Sequence, residues 1–369
     1  MKMLRVPLLA LLVLAPAALR AWDYEGHRMV NQLALASLPK DFPAFVHKPT
    51  NAERIAFLAG EPDRWRNVPD LPIKQYNGID HYCDLEQIPD AGLSFDTLPS
   101  LRYQFAAQFA AGRQAHLDKF PDIEEAKNLD HTREWCGFAP WAITEYYGKV
   151  RSAFSYLKAF QEVDAGTHKT YGTAQEIANA EDDIVYMMGV MGHYVGDCAQ
   201  PLHTTVHHNG WVGTNLHNYS TWPGIHGWID GGFIGKAGIK TGDMVARVTP
   251  ADAIALAPRE DGRDPMFVAV LDYLLEQHKL VEPLYQMEKA GQFSHGKDEV
   301  PTAEGRAFIE KQLLAGGAEL AAIWTTAWKN AGPDTYLRAS LIKRAGGSPT
   351  KAGDDAPAPK KKRSKKAAP

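Results

Sequence analysis

Cysteine is scarce: the 369-residue chain holds three, Cys83, Cys136 and Cys198, and no two of them form a CxxC pair. A thiolate zinc site therefore has no basis here. In an exported chain three thiols permit one disulfide with one thiol over, in three pairings that sequence does not rank. Cys198 lies in a ligand-rich segment and reads as a small buried filler. Long apolar runs are missing as well. The one near the start, Val6 to Leu14, falls well short of the about 20 residues a membrane span needs. No segment alternates apolar and polar residues strictly enough for a convincing strand, and no internal repeat stands out. An excess of positive charge is missing too. The whole chain has 40 Lys+Arg against 44 Asp+Glu, a formal charge of −4. Extended duplex binding by counterion release calls for the opposite balance.

What is present begins with the first 21 residues, MKMLRVPLLALLVLAPAALRA. Lys2 and Arg5, the apolar run and a small-residue stretch ending at Ala21 have the organisation of a secretory signal peptide. Its removal takes away Lys2, Arg5 and Arg20, so the formal charge moves from −4 to −7. Cleavage after Ala21 makes Trp22 the first residue and frees its α-amine. Such an amine titrates near 7.7–8.0, so part of it is neutral at physiological pH and able to donate its lone pair to a metal. The expected location is secreted or periplasmic. At the other end, residues 346–369 include SPTKAGDDAPAPKKKRSKKAAP. This Pro/Ala/Lys-rich stretch has no apolar pattern and is expected to be a disordered, solubilising basic tail.

Between these ends the apolar spacing is helical wherever it is clear. Val30, Leu33, Ala34 and Leu38 mark a helix directly after His27. Tyr147, Val150, Phe154 and Leu157 mark another over 144–160, and Ile177, Ile184, Met188, Met191 and Val195 a third over 175–197. Two more fit Phe267–Tyr285 and Ala303–Trp328. Pro and Gly break up 61–100 and 199–265, which read as long connections. The expectation is a single all-α domain over 22–345 with long irregular loops.

Histidine and aspartate punctuate this pattern at metal-ligand spacing. In HYVGDCAQPLH, His193 and Asp197 stand four apart at the end of a strongly patterned helix, so their side chains share a face. Pro201 stops that helix and turns His203 back towards the same end. GIHGWID repeats the spacing with His226 and Asp230, while GEPDRWR offers Asp63 and GIDHYCDL offers His81. Imidazole nitrogen and carboxylate oxygen are the donors zinc takes, and an i,i+4 pair supplies two from one rigid turn. Any one of these residues alone would read as surface or core. The ordered series, with Trp22 and His27 in WDYEGH ahead of it, reads as a metal site.

That series resembles the three-zinc, single-strand-specific S-one/P-one nuclease family, whose fold is shared by bacterial zinc-dependent phospholipase C. The resemblance runs from Trp22 to about Asn330. It implies one zinc held by the amine and carbonyl of Trp22 with His27, and a second by Asp63, His81 and His193, with Asp197 bridging the two. It implies a third zinc on His203, His226 and Asp230, the three ions lying in one cleft. WDYEGH keeps the short Trp-to-His spacing of the nucleases, as do the step from His203 to His226 and the Asp at 230. Tyr194 in HYVGD is closer to the phospholipases, and WPGI before His226 departs from the nuclease wording. His217, in NLH, is a lesser alternative to His226, because Thr221 four residues on is a poor ligand.

The resemblance implies metal-assisted hydrolysis of phosphodiester bonds in single-stranded DNA or RNA, or of 3′-nucleotides, leaving 5′-phosphates. Asp63 and Asp197 would be the catalytic carboxylates, and the ions would make an arginine clamp unnecessary. Tyr82, Trp211, Tyr219, Trp222 and Phe233 are aromatic candidates for stacking an unpaired base. His207 and His208 lie beside the site as bystanders or phosphate contacts. The alternatives are a zinc phospholipase C acting on glycerophospholipids and a non-catalytic zinc-binding protein. No obligate protein partner is expected.

Overall fold

The computed structural model describes residues 22–347. The expected signal peptide, 1–21, and all but the first two residues of the expected tail lie outside the described residues.

Capping side chains and prolines set where the helices begin. Asp23 accepts a hydrogen bond from the Gly26 N–H and opens α1 (Tyr24–Ala36). Proline at the first or second position opens α2 (Pro49–Leu58), α3 (Glu61–Arg66) and α4 (Leu71–Ile79). Its missing N–H costs nothing there, and its fixed φ suits a helix. α5 (Arg102–Ala115) and α6 (Ala139–Gln161) follow. Thr173 and Glu176 form a reciprocal capping box at the start of α7 (Ala174–Ala199). Asp264 caps α8 (Pro265–His278), α9 (Val281–Lys289) comes next, and Thr302 and Asp334 cap α10 (Ala303–Lys329) and α11 (Thr335–Arg344). Among the described residues the only β pairing is an isolated bridge between Val163 and Thr170. The chain is all-α, with one buried apolar cluster running from Trp22 to Ala331.

Two expectations are corrected. The helix read over Phe267–Tyr285 is two helices, α8 and α9, separated at Lys279–Leu280. Pro283 is the cause: a continuous helix would set its ring against the Lys279 carbonyl and remove one N–H bond. The segment 61–100, read as a Pro-broken connection, contains α3 and α4, because Pro62 and Pro72 start helices rather than end them.

α7 runs through the middle of the molecule, against α1, α2, α6 and α10. From Met188 to Ala199 every residue of it is buried. Gly192 permits the close approach of α1: a Cβ there would lie 1.7 Å from Asn31 Oδ1. The Asn31 amide donates to the carbonyls of Ile55 and Gly189, tying α1, α2 and α7 together. This contact sets His27, one turn before Asn31, against the end of α7. His193 and Asp197 thus lie inside the core, where burying polar groups is costly without partners.

Candidate metal centre

Three groups of donor atoms meet at the C-terminal end of α7: His27, His193 and Asp197; Asp63, His81 and His193; and His203, His226 and Asp230. Within each group the atoms lie no more than 4.8 Å from one another. His27 Nε2 is 3.4 Å from Asp197 Oδ1, and His193 Nε2 is 3.3 Å from Asp197 Oδ2. His226 Nε2 is 3.1 Å from Asp230 Oδ2, and His81 Nε2 is 3.7 Å from Asp63 Oδ1. Donors 2.0–2.1 Å from a tetrahedral zinc are separated by about 3.3–3.4 Å. The shorter separations therefore match a ligand-to-ligand edge. Asp197 Oδ1 also lies 3.8 Å from His203 Nδ1, which brings the third group beside the first two.

The imidazoles are oriented by backbone carbonyls. His81 Nδ1 is 2.5 Å from the Asn77 carbonyl, His193 Nδ1 2.6 Å from that of Ala59, and His203 Nδ1 2.9 Å from that of His81. A carbonyl only accepts, so Nδ1 carries the proton and Nε2 presents a lone pair to the cluster. Gln200 steadies the third group: its Nε2 donates to Asp230 Oδ1 at 2.6 Å while its Oε1 accepts from the Leu202 N–H at 2.6 Å. Asp230 itself lies in a π-helical turn, Trp228–Gly232.

Many buried polar atoms here have no hydrogen-bond partner: His27 Nε2, His81 Nε2, His193 Nε2, both carboxylate oxygens of Asp197, and Asp230 Oδ2. Such orphans are costly in a core and rare in native proteins. Their convergence is what a cation would satisfy. Burial lowers the imidazole pKa values, His193 to about 4 and His203 to about 3, with His27, His81 and His226 well below the ordinary value. The rings are neutral, the form that binds metal. Burial pushes Asp197 and Asp230 well up, a penalty for unbalanced negative charge that a dication relieves. Nitrogen and oxygen donors in this mixture suit zinc.

Trp22 is fully buried, and its indole Nε1 donates to the Gly196 carbonyl at 2.7 Å, one residue before Asp197. The Asp23 N–H donates to the Asp230 carbonyl at 3.2 Å. Residues 22 and 23 are thus held between the backbone carbonyls of Gly196 and Asp230. His217 is exposed and 3.8 Å from Glu282, away from all three groups, so His226 is the histidine that joins them.

The aromatic candidates divide. Phe233 is fully buried, edge-on to Trp228 and Phe293, and offers no open face. It is a packing residue, because its short helix (Phe233–Ala237) turns that ring towards α10. Tyr219 is also buried, with its hydroxyl donating to Glu282 at 2.8 Å. Tyr82 is half-buried, its hydroxyl bound to the Thr132 carbonyl at 3.1 Å. Trp211 and Trp222 are half-buried against the core. Trp211 stacks on His207 at 3.9 Å and Trp222 on His295 at 4.1 Å. The His208 ring lies 5.9 Å from that of His226, with Asp84 3.9 Å from its Nδ1.

Arg66 was not singled out by the sequence. It sits one turn after Asp63 on α3 and forms a 2.7 Å ion pair with it. Its charge reaches His27, His81, His193, His203 and His226, adding to the burial that keeps them neutral. The i,i+3 spacing in DRWR is the signal that could have marked it.

No family model matches the chain, and no curated protein matches it. A solved structure, the alpha-toxin of Clostridium perfringens from an avian strain, aligns with 90% of this chain and 67% of its own. The identity is 13% and the TM-score 0.35, a likeness too slight to inform either fold or activity. The class the site defines is therefore read from its own donors: an all-α protein with buried His/Asp clusters suited to zinc.

Proposed function

We propose that the chain is an exported zinc-dependent phosphodiesterase holding three ions. Trp22, His27 and Asp197 would hold the first, Asp63, His81, His193 and Asp197 the second, and His203, His226 and Asp230 the third. The observation that carries this reading is the position of Asp197, within 3.4 Å of His27, 3.3 Å of His193 and 3.8 Å of His203. A carboxylate whose two oxygens face the Nε2 atoms of His27 and His193 would suit a role shared between two ions. When bound, zinc supplies Lewis acidity and lowers the pKa of water towards neutrality.

The protein's own part is to hold, orient and exclude. Nδ1-to-carbonyl bonds lock three imidazoles with Nε2 inward. Asp63 and Arg66 are each 17% exposed on their side chains and His226 10%, against 2% or less for the other histidines and aspartates of the groups. Substrate would therefore approach between α3 and the Ile225–Gly227 turn that carries His226. Arg66 would meet a phosphate oxygen there, and Asp63 would orient the attacking water.

Single-stranded nucleic acid, cut to 5′-phosphate ends, or a 3′-nucleotide, losing its phosphate, is the substrate class we favour. Support comes from the short Trp22-to-His27 spacing, Asp at 230, and the half-buried Trp211 and Trp222, which are less enclosed than Tyr219 and Phe233. Base stacking on such a face contributes about 1–3 kcal/mol. A glycerophospholipid is the second reading. The residue that spoke for it, Tyr194, is buried, 3.4 Å from Asn77 Oδ1, with its ring edge-on to His81. Its role is packing, so it does not favour a lipid. The deciding experiment sets denatured DNA against phosphatidylcholine vesicles, each with and without chelator, on one zinc-loaded preparation. Chelator-sensitive cleavage of DNA alone is expected. Cleavage of the lipid alone would move the assignment to the second reading, and zinc binding with neither activity to a non-catalytic protein.

A further inference from the structure

Cys83 and Cys136 stand 53 positions apart in the sequence and meet inside the core. Both are fully buried, and the Cys136 thiol donates to the Gly137 carbonyl at 3.6 Å. The backbones around them are paired: the Asp84 N–H donates to the Cys136 carbonyl at 2.6 Å, Ala139 to Tyr82 at 3.2 Å, and Phe138 to Ile79 at 2.6 Å. Gly137, at φ 97°, makes the approach possible, since a Cβ there would fall 2.0 Å from the Tyr82 carbonyl oxygen. On its other flank the same segment donates from Cys83 to the His203 carbonyl at 2.9 Å and from Leu85 to that of Thr204 at 3.1 Å. The stretch 79–85, which carries His81, is therefore clasped between 136–139 and 203–204. Cys198 lies in α7, and the structure records all three as free thiols.

We propose that Cys83 and Cys136 are a disulfide pair, oxidised as the chain folds in a thiol-oxidising environment, with Cys198 the remaining thiol. The bond clasps the His81 segment in place before any metal arrives. The oxidant class is a small disulfide such as oxidised glutathione. A thiolate of the pair attacks it, forming a mixed disulfide and releasing one glutathione. The second cysteine's thiolate then displaces the other glutathione. Two S–H bonds and one S–S bond break, one protein S–S bond forms, and two electrons and two protons pass to the glutathione pair. Burial raises the Cys136 thiol's pKa, so the folded pair reacts slowly and the exchange belongs to folding. The closed loop of more than fifty residues lies in the range where a cross-link restricts the unfolded chain strongly. Nothing in this inference rests on the phosphodiesterase reading.

The first test uses the unaltered chain. Protein refolded in a glutathione redox buffer is denatured in iodoacetamide without reductant, digested and analysed by mass spectrometry. Expected are one blocked cysteine, Cys198, and a linked peptide pair containing Cys83 and Cys136, which separates on reduction. Three blocked cysteines, or a link through Cys198, would overturn the proposal. The melting temperature of the metal-free protein should fall by several degrees in reductant. Cys198→Ala should keep that difference and Cys136→Ala should lose it. A melting temperature indifferent to reductant would remove the clasping role.

Discussion

The Nε2 atoms of His203 and His226 face each other 2.9 Å apart. His203 Nδ1 donates to the His81 carbonyl, so its Nε2 is a bare lone pair. Two neutral rings can be held this way by a single shared proton, or by a cation taking both lone pairs. The donors around them favour the cation. Chelation should therefore lower the melting temperature and added zinc restore it. With free zinc at 100 times its dissociation constant, one site contributes about 2.7 kcal/mol. Differential scanning calorimetry against a zinc titration checks this, and an unchanged transition would count against a metal site.

Asp197→Asn keeps the shape of the side chain and removes its charge. Activity should fall by more than the about 10–100-fold that loss of an outer-shell partner costs. The metal-free protein should be as stable as the parent or more so, because burial already penalises the charged carboxylate. Only the stabilisation gained with zinc should disappear. A variant that keeps full turnover and full zinc stabilisation would contradict the bridging role.

Gln200→Ala removes the hydrogen bond to Asp230 Oδ1 and leaves the three donors of that group in place. Zinc affinity at the third site should fall about 10–100-fold, measured by competition with a chromophoric chelator. Equal affinity in variant and parent would mean the amide holds only the Pro201–Thr204 turn.

Trp22 and Asp23 are held between Gly196 and Asp230, where an α-amine at residue 22 would lie beside the cluster. A chain translated as Met followed directly by Trp22, and retaining that Met, has no such amine. It should carry two zinc ions where the processed protein carries three, and lose most turnover. Elemental analysis of the two forms decides, and equal zinc content would dismiss a role for the amine.

Glu319, on α10, is held by burial at a pKa of about 7, against an ordinary 4.5. A raised carboxyl means the folded state binds the extra proton between those values. Its share of stability is therefore present below pH 4.5 and lost as pH rises through 7. Glu319→Gln should stabilise the metal-free protein at pH 8 by on the order of 2 kcal/mol and change little at pH 4.5. Melting curves across that range check it; parallel curves would mean the carboxyl is not strained.

Much of the site was legible because its donors come as side chains at helical spacing. His193 and Asp197 share a face of α7, and His226 and Asp230 repeat the interval. What holds them was not. Three imidazoles are oriented by the carbonyls of Ala59, Asn77 and His81, and every residue has a carbonyl, so no side-chain pattern announces one. Gln200 and Asn31 looked like ordinary polar residues until the fold brought each to its partner. Phe233 misled for the converse reason: aromatic identity and nearness to Asp230 say nothing about which way a ring turns.

Apolar periodicity, capping residues and histidine spacing by themselves determined that this chain is helical and that it carries donors suited to a metal. These are local properties, written within a few turns of chain. Tertiary structure decided which donors meet, which aromatic side chains are buried, and that Cys83 finds Cys136. Those outcomes depend on close approaches such as Asn31 against Gly192 and Gly137 against Tyr82. They are set by packing between segments distant in sequence, where a single Cβ would have closed the gap.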